Sequence, residues 1–311
     1  MPEKIGFLFP GQGAQQVGMG QDLFKEYPAA RRVFEKADSQ LGYALSRLCF
    51  EGPEEELTRT CYAQPAIFTV SMAVWAVLKE RFPELTPHFV AGLSLGEFSA
   101  IAAAECLSFK NALALVKRRA EAMEKAAQVN PGTMASIVGL TEADCSAIAQ
   151  EAGCELANLN TPDQFVLSGT PESIENACRL ADSRGAKRAI PLKVGGAFHS
   201  SLMQTAKEDL EKALSDIPFR SPLCLFVPNA SAQVTSDTKE IRALLARQLM
   251  SPVRWIETME RAEELGVRYF IEMGPGKVLK GLARRNQPGF SVESCGTSAE
   301  IRKLESLFAA A

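Results

Sequence analysis

At 311 residues, 46% of them hydrophobic, the chain is long enough to bury a sizeable core, as one large domain or a domain with an insert. Lys and Arg number 34 against 37 Asp and Glu, and the net charge of −3 gives no general reason to expect binding to nucleic acid or a membrane. The eight cysteines (Cys49, Cys61, Cys106, Cys145, Cys154, Cys178, Cys224 and Cys295) form no C-x-x-C pair, and only two histidines accompany them. A zinc site is therefore short of ligands, and the thiols read as reduced and mostly buried in a cytoplasmic protein.

Met1-Pro2-Glu3-Lys4 runs straight into the apolar stretch Ile5 to Phe9, too short for a signal-peptide core, and no Arg/Ser-rich transit segment is seen. That stretch reads as a buried strand ended by Pro10-Gly11-Gln12-Gly13. Helical patterns follow over about Gln21 to Gln40 and Ala66 to Arg81. The second contains the longest apolar stretch, which is broken by Thr69 and Ser71 and falls well short of a membrane span. Phe89 to Gly92 is a second buried strand, followed by Ser94, an Ala-rich helix and a further helix from about Lys110 to Ala127. Alternation of strand and helix predicts an α/β layer fold with a parallel sheet.

From about residue 130 the order becomes β-α-β-β-α-β. Strands are expected at Thr133 to Leu140, Cys154 to Asn160, Gln164 to Gly169 and Ala186 to Val194, with helices at Thr141 to Ala152 and Pro171 to Arg184. That is the ferredoxin-like unit, read as a small domain over 129–197 inserted into a larger one made of 1–128 and 198–311. The larger domain resumes with a helix from Ser200 to Leu214, a strand at Leu223 to Val227 and a helix before Gln248. A strand at Val267 to Met273 then leads through Gly274-Pro275-Gly276 to a helix ending near Arg285.

Gly92-Leu93-Ser94-Leu95-Gly96 lies between an apolar strand and a helix, the context a nucleophile elbow requires. There a sharp turn pushes a serine hydroxyl out of the fold, and helix N-terminal N–H groups face the developing oxyanion. A second reading stands beside it, because Ser94-x-x-Glu97 is also a capping box, an ordinary way to begin a helix. A serine nucleophile needs a base, and the chain holds only His88 and His199. His88 precedes Ser94 by six residues of extended chain, roughly 20 Å. His199 is thus the one candidate, with a structural role as its alternative. No carboxylate follows His199 before Glu208, so its orienting group is a carboxylate from elsewhere or a backbone carbonyl.

On the Lys110 helix, Leu113, Val116, Ala120 and Met123 mark the apolar stripe, and Arg119 lies beside it. Its guanidinium suits a substrate carboxylate, or its stem simply covers core. Gly11-Gln12-Gly13 lacks the third glycine of a dinucleotide fingerprint, and Gly276-Lys277 lacks the first glycine of a P-loop. A loop after the first strand can instead supply an oxyanion N–H.

Phe9-Pro10-Gly11-Gln12-Gly13, Gly92-Leu93-Ser94-Leu95-Gly96-Glu97, Arg119, Phe198-His199-Ser200 and Gly274-Pro275-Gly276-Lys277-Val278-Leu279 occur together and in order. This set resembles the malonyl-CoA:acyl carrier protein transacylase family, related to polyketide synthase acyltransferase domains, over nearly the whole chain. The resemblance implies an α/β-hydrolase-like larger domain and an acyl-Ser94 intermediate, with His199 as base and the backbone carbonyl of Gln248 as its orienter. It further implies backbone N–H groups of Gln12 and Leu95 as the oxyanion hole, Arg119 on the malonyl carboxylate, and Met123, Phe198 and Asn229 as further positions around the substrate. No cofactor and no metal are expected. The substrate would be malonyl-CoA, the acceptor the phosphopantetheine thiol of an acyl carrier protein, the protein a cytoplasmic monomer, and the pathway fatty-acid or polyketide synthesis.

Leu93 departs from the family, which usually has His or another polar residue there. Gly196-Ala197-Phe198-His199-Ser200 is similar to the version in malonyl-selective polyketide acyltransferases, which favours malonyl over methylmalonyl. Lys277, Lys280, Arg284 and Arg285 are either a docking patch for an acidic carrier or a solvated helix face. Two rival functions are an acyl hydrolase built on the same Ser94–His199 dyad and a catalytically silent binding subunit of a larger synthase, against which the intact Ser94, His199 and Arg119 argue.

Overall fold

The computed structural model describes residues 4–309; the Met1-Pro2-Glu3 start considered above for targeting lies outside them. Its strands are β1 (Ile5–Phe9), β2 (Phe89–Gly92), β3 (Thr133–Val138), β4 (Glu155–Thr161), β5 (Gln164–Gly169), β6 (Arg188–Pro191), β7 (Leu225–Phe226), β8 (Val253–Arg254), β9 (Tyr269–Met273) and β10 (Ser291–Cys295). They form two sheets, ordered β10-β9-β1-β2-β7 and β6-β3-β5-β4-β8.

Every pairing in the first sheet is parallel, with β1 at its centre between β9 and β2. A central parallel strand is covered on both faces, which is why Ile-Gly-Phe-Leu-Phe is buried throughout. Side chains alternate: Ile5, Phe7 and Phe9 join the main apolar cluster, and Leu8 joins the cluster on the other face. The main cluster is built with helices Pro28–Leu41, Thr60–Arg81 and Phe109–Val129, and the other with Trp255–Glu264 and Val278–Asn286. Gly6 leaves room for the Phe270 ring of β9, since a Cβ there would lie 2.4 Å from a ring carbon.

The second sheet contains the ferredoxin-like unit. β3 lies antiparallel between β5 and β6, and β4 is antiparallel to β5. One strand comes from elsewhere in the chain: β8, far downstream, pairs in parallel with β4 through Asn158↔Val253 and Leu159↔Arg254. Two residues bordered by Pro252 and a helix carry no readable strand pattern, so the extension came from tertiary pairing alone.

Several elements differ from the sequence reading. The segment from Gln21 divides into Gln21–Glu26 and Pro28–Leu41, because Pro28 opens a new helix at its first position. The apolar helix starts at Thr60, well before the expected Ala66, and runs through Pro65, which removes one ladder bond near its beginning. It is the one described helix long and apolar enough to cross a membrane, and 83% of its apolar window is buried inside the protein. β10 and the closing helix Ser298–Ala309 were not expected; Ser291 to Cys295 has alternating burial on an edge strand rather than an apolar run. The strands expected over 223–227 and 186–194 shrink to β7 and β6.

Gly6→Val should lower stability by about 1–3 kcal/mol through overpacking against Phe270 and Val267, read as a lower urea midpoint at unchanged m.

Candidate active site

The site sits beyond the carboxyl ends of β1 and β2, where parallel sheets open a crevice. β2 runs into Leu93 and Ser94, and Ser94 has φ 53°, a left-handed value that a non-glycine residue adopts at a cost. The turn is held by close approach. A Cβ on Gly92 would lie 2.0 Å from the Gly96 carbonyl carbon, and one on Gly96 would lie 2.0 Å from the Phe9 oxygen. The helix Gly96–Ala103 therefore starts directly against the end of β1.

The capping-box reading is not what forms. The N-terminus of that helix has no side-chain cap. The Ser94 hydroxyl instead lies 2.8 Å from His199 Nε2, and Glu97 turns inward to accept from the Asn229 N–H at 3.1 Å and Gln248 Nε2 at 2.6 Å.

His199 follows the Gly195-Gly196 link, is buried, and also has a left-handed backbone, φ 59°. Its Nδ1 lies 2.8 Å from the Gln248 backbone oxygen. A carbonyl only accepts, so Nδ1 carries the proton and Nε2 is free to take one from Ser94. Burial, reinforced by the Arg119 charge, pushes the imidazole pKa down to about 4, against hydrogen bonds at Gln248 and Ser251 that raise it. The ring is a neutral base at pH 7. His88 sits at the other end of β2, its N–H on the Ile5 oxygen, and takes no part.

Arg119 is 1% exposed on the helix Phe109–Val129. It donates to Gln64 Oε1 at 2.6 Å, Gln248 Oε1 at 2.9 Å and Ser94 Oγ at 2.9 Å, and its Nε is buried without a partner. The carbon of the guanidinium lies 5.6 Å from the centre of the Phe98 ring. Burial lowers its pKa to about 10, with Glu97 opposing, so it remains a cation. All three of its hydrogen-bond partners are neutral. A buried cation with no carboxylate against it is a costly arrangement that an anionic ligand relieves.

Asn229 braces the turn from both sides, accepting from the Ser94 N–H at 2.7 Å and donating to the Gly92 oxygen at 2.7 Å. A Cβ on Gly11 would lie 2.4 Å from the Leu93 oxygen, so the β1 loop rests on the turn. The N–H groups of Gln12 and Leu95 meet no acceptor among the described residues. Leu93 is half-buried, with its side chain on the apolar cluster around Trp255. Met123 reaches the site through Gln64, whose Nε2 lies 3.4 Å from its sulfur. Phe198 adjoins His199 in the chain, and its ring belongs to the main apolar cluster.

Gln64 was missed in the sequence. It links Arg119 to the Gln12 side chain and is fully buried; a lone amide within Ala63 to Val70 was the available signal. The Gly274-Pro275-Gly276 loop is a support. Gly274, at φ 132°, is closed in by Ser71 and Pro10, while Glu272 caps the following helix through the N–H groups of Leu279 and Lys280. In the basic cluster, Lys277 pairs with Glu300, Lys280 with Glu293, and Arg285 with Asp163.

A serine bonded to a neutral histidine on a strand-to-helix turn, two N–H groups without an acceptor among the described residues and a buried cation are the parts that an acyl-transfer site needs. Residues 6–295 match the family described as acyl transferase domain, and the chain belongs to that family. It is 47% identical over 290 residues to the malonyl CoA-acyl carrier protein transacylase of Bacillus subtilis, covering 91% of this chain and 90% of the relative. It is 42% identical over 287 residues to the protein of that name from Haemophilus influenzae, covering 91% and 92%. Among solved structures, an acyl-carrier-protein-S-malonyltransferase from Bartonella henselae superposes with a TM-score of 0.94 at 40% identity, covering 98% of this chain and 99% of that one. A malonyl-transacylase in complex with a type II PKS acyl-carrier protein gives 0.94 at 37% identity, covering 98% and 100%.

With His199 held near 4, its neutral fraction is complete at pH 7 and falls only in acid. The rate of acylation per mole of enzyme should stay level from pH 7 down to about 5 and fall below that as the base takes its proton, as read from a pH profile of kcat/KM.

Proposed function

We propose that this acyltransferase moves a malonyl group from malonyl-CoA to the phosphopantetheine thiol of an acyl carrier protein, by a ping-pong route through malonyl-Ser94. The observation that carries the malonyl assignment is Arg119, a buried cation that bonds the nucleophile itself and lacks an anionic partner. Substrate carboxylate at the guanidinium places the thioester carbonyl beside Ser94 Oγ. The names of the relatives, and the neighbour seen with a carrier protein, support the donor and the acceptor.

In the first half-reaction the Ser94 oxygen bonds to the thioester carbon as its proton passes to His199 Nε2. The carbonyl electrons move onto oxygen, facing the Gln12 and Leu95 N–H groups. Collapse breaks the carbon–sulfur bond, and the CoA sulfur leaves with the proton from His199. The carrier thiol then repeats the sequence in reverse, giving its proton to His199 and displacing Ser94. Base, nucleophile and oxyanion donors all come from side chains and backbone, so this chemistry calls for no cofactor. They also come from one chain, and we take the working unit to be a cytoplasmic monomer.

Mixing the enzyme with malonyl-CoA should add one malonyl group to the Ser94 peptide in mass spectrometry, and a carrier protein should remove it as acyl-carrier product. Free malonate as the main product would instead make the enzyme a hydrolase.

Arg119→Ala should lower malonyl transfer by about 10²-fold or more while sparing acetyl transfer, because a buried polar site discriminates through the partner it loses. Competition between malonyl-CoA and acetyl-CoA reads this directly, and an unchanged ratio would exclude Arg119 as the carboxylate clamp.

A further inference from the structure

Glu97 is fully buried in the first turn of the elbow helix, and the mechanism above gives it no step. We propose that it is a positioning residue for acyl transfer, setting through one carboxylate oxygen the orientation of the Gln248 side-chain amide and hence the guanidinium that selects the acyl group. This inference rests on the acyl-Ser94 reading.

The argument is a count of donors and acceptors. Gln248 is doubly used: its backbone oxygen faces His199 Nδ1, and its side chain bridges three groups. Nε2 donates to Glu97 Oε2 at 2.6 Å and to the Ser94 oxygen at 3.0 Å, while Oε1 accepts from Arg119 at 2.9 Å. Rotating the amide by half a turn would set its oxygen against two acceptors and its NH₂ against a guanidinium N–H. Arg119 and the Ser94 oxygen favour this orientation too, and Glu97 Oε2, at the shortest of the three distances, is the acceptor that holds the NH₂ in place. The same oxygen accepts from the Asn229 N–H at 3.1 Å, and Asn229 braces Ser94 and Gly92. A single acceptor thus sits behind the nucleophile, the base support and the clamp.

Only the acceptor is needed, not the charge. Glu97 Oε1 is buried without a partner, while Oε2 takes both donors. Burial, the largest influence, pushes this carboxyl up to about 7 despite the Gln248 and Asn229 bonds and the Arg119 charge. A proton on Oε1 leaves Oε2 accepting as before. Glutamine in this place would therefore present its oxygen to the same donors, since the reverse placement sets three donor groups together. Methionine fills a similar volume with no such acceptor.

The test compares full-length wild type, Glu97→Gln and Glu97→Met, with Gln248→Met as a second break of the same link that keeps the backbone oxygen for His199. Rates of Ser94 acylation are measured with malonyl-CoA and with acetyl-CoA. Glu97→Gln should stay within about threefold of wild type on both. Glu97→Met should lose about 30-fold or more with malonyl-CoA and much less with acetyl-CoA, so that the malonyl-to-acetyl ratio falls about tenfold. Gln248→Met should lower the same ratio, which keeps the test decisive even where Glu97→Met does not fold. The proposal is overturned by a Glu97→Gln enzyme as slow as Glu97→Met, by equal losses on both acyl groups, or by an unchanged ratio in Gln248→Met. A wild-type chain that forms no Ser94 adduct overturns the functional reading and this proposal with it; an adduct in wild type with Glu97→Met unaffected overturns the proposal alone.

Discussion

The contact on which the site depends is the approach of the Gly96 backbone to the Phe9 oxygen, closer than any side chain would allow. It seats the elbow helix on the end of β1, while the matching contact between Gly92 and Gly96 folds β2 back into that helix. Ser94, between the two glycines, is left with a left-handed backbone and a hydroxyl within reach of His199 and Arg119. The same geometry draws the β1 loop onto the Leu93 backbone, where a Cβ on Gly11 would lie 2.4 Å from the Leu93 oxygen. The strain at Ser94 is sustained because strand pairing, Asn229 and the glycine contacts all determine the turn.

Electrostatics then divide the labour among three buried titratable groups. Burial drives His199 toward neutrality, which a base requires, and Arg119 adds to the same shift. Arg119 stays charged because its own shift leaves it well above neutral pH. Glu97 is the only carboxylate in this network, and it reaches Arg119 through the Gln248 amide rather than directly. Direct pairing would have satisfied the cation; the indirect link leaves its guanidinium bonded to neutral groups alone. The arrangement favours function over the stability of a closed ion pair.

The two sheets are tied together near the base. β8 follows the turn that carries Gln248 and pairs with β4 of the second sheet. Arg285 and Asn286, at the end of the helix after β9, hold the β4–β5 hairpin through Asp163, Gln164, Thr161 and the Asn160 oxygen. Three of the four cations once considered as a docking patch are thus engaged within the fold, leaving Arg284 as the one in that set without an ion pair among the described residues.

By itself the sequence determined the layer class, the two interior β1 and β2 strands, the β-α-β-β-α-β order and the choice of His199 over His88 as the candidate partner of Ser94. Each rests on a local pattern or on scarcity: apolar runs, periodicity, two glycines around a serine, and two histidines in the whole chain. Only the tertiary structure showed that Ser94 bonds His199 instead of capping its helix, that Arg119 turns its guanidinium to Ser94 and Gln248 inside the protein, and which backbone oxygen faces His199. It also brought in Gln64 and gave Glu97 an inward role, and it added β8 and β10. Those outcomes depend on partners far apart in the chain, such as Arg119 with Gln64, 55 residues away, and Gln248 with the Ser94 oxygen, 154 residues away. A local pattern records what a residue can do; burial and the donors that converge on it decide which of those things it does.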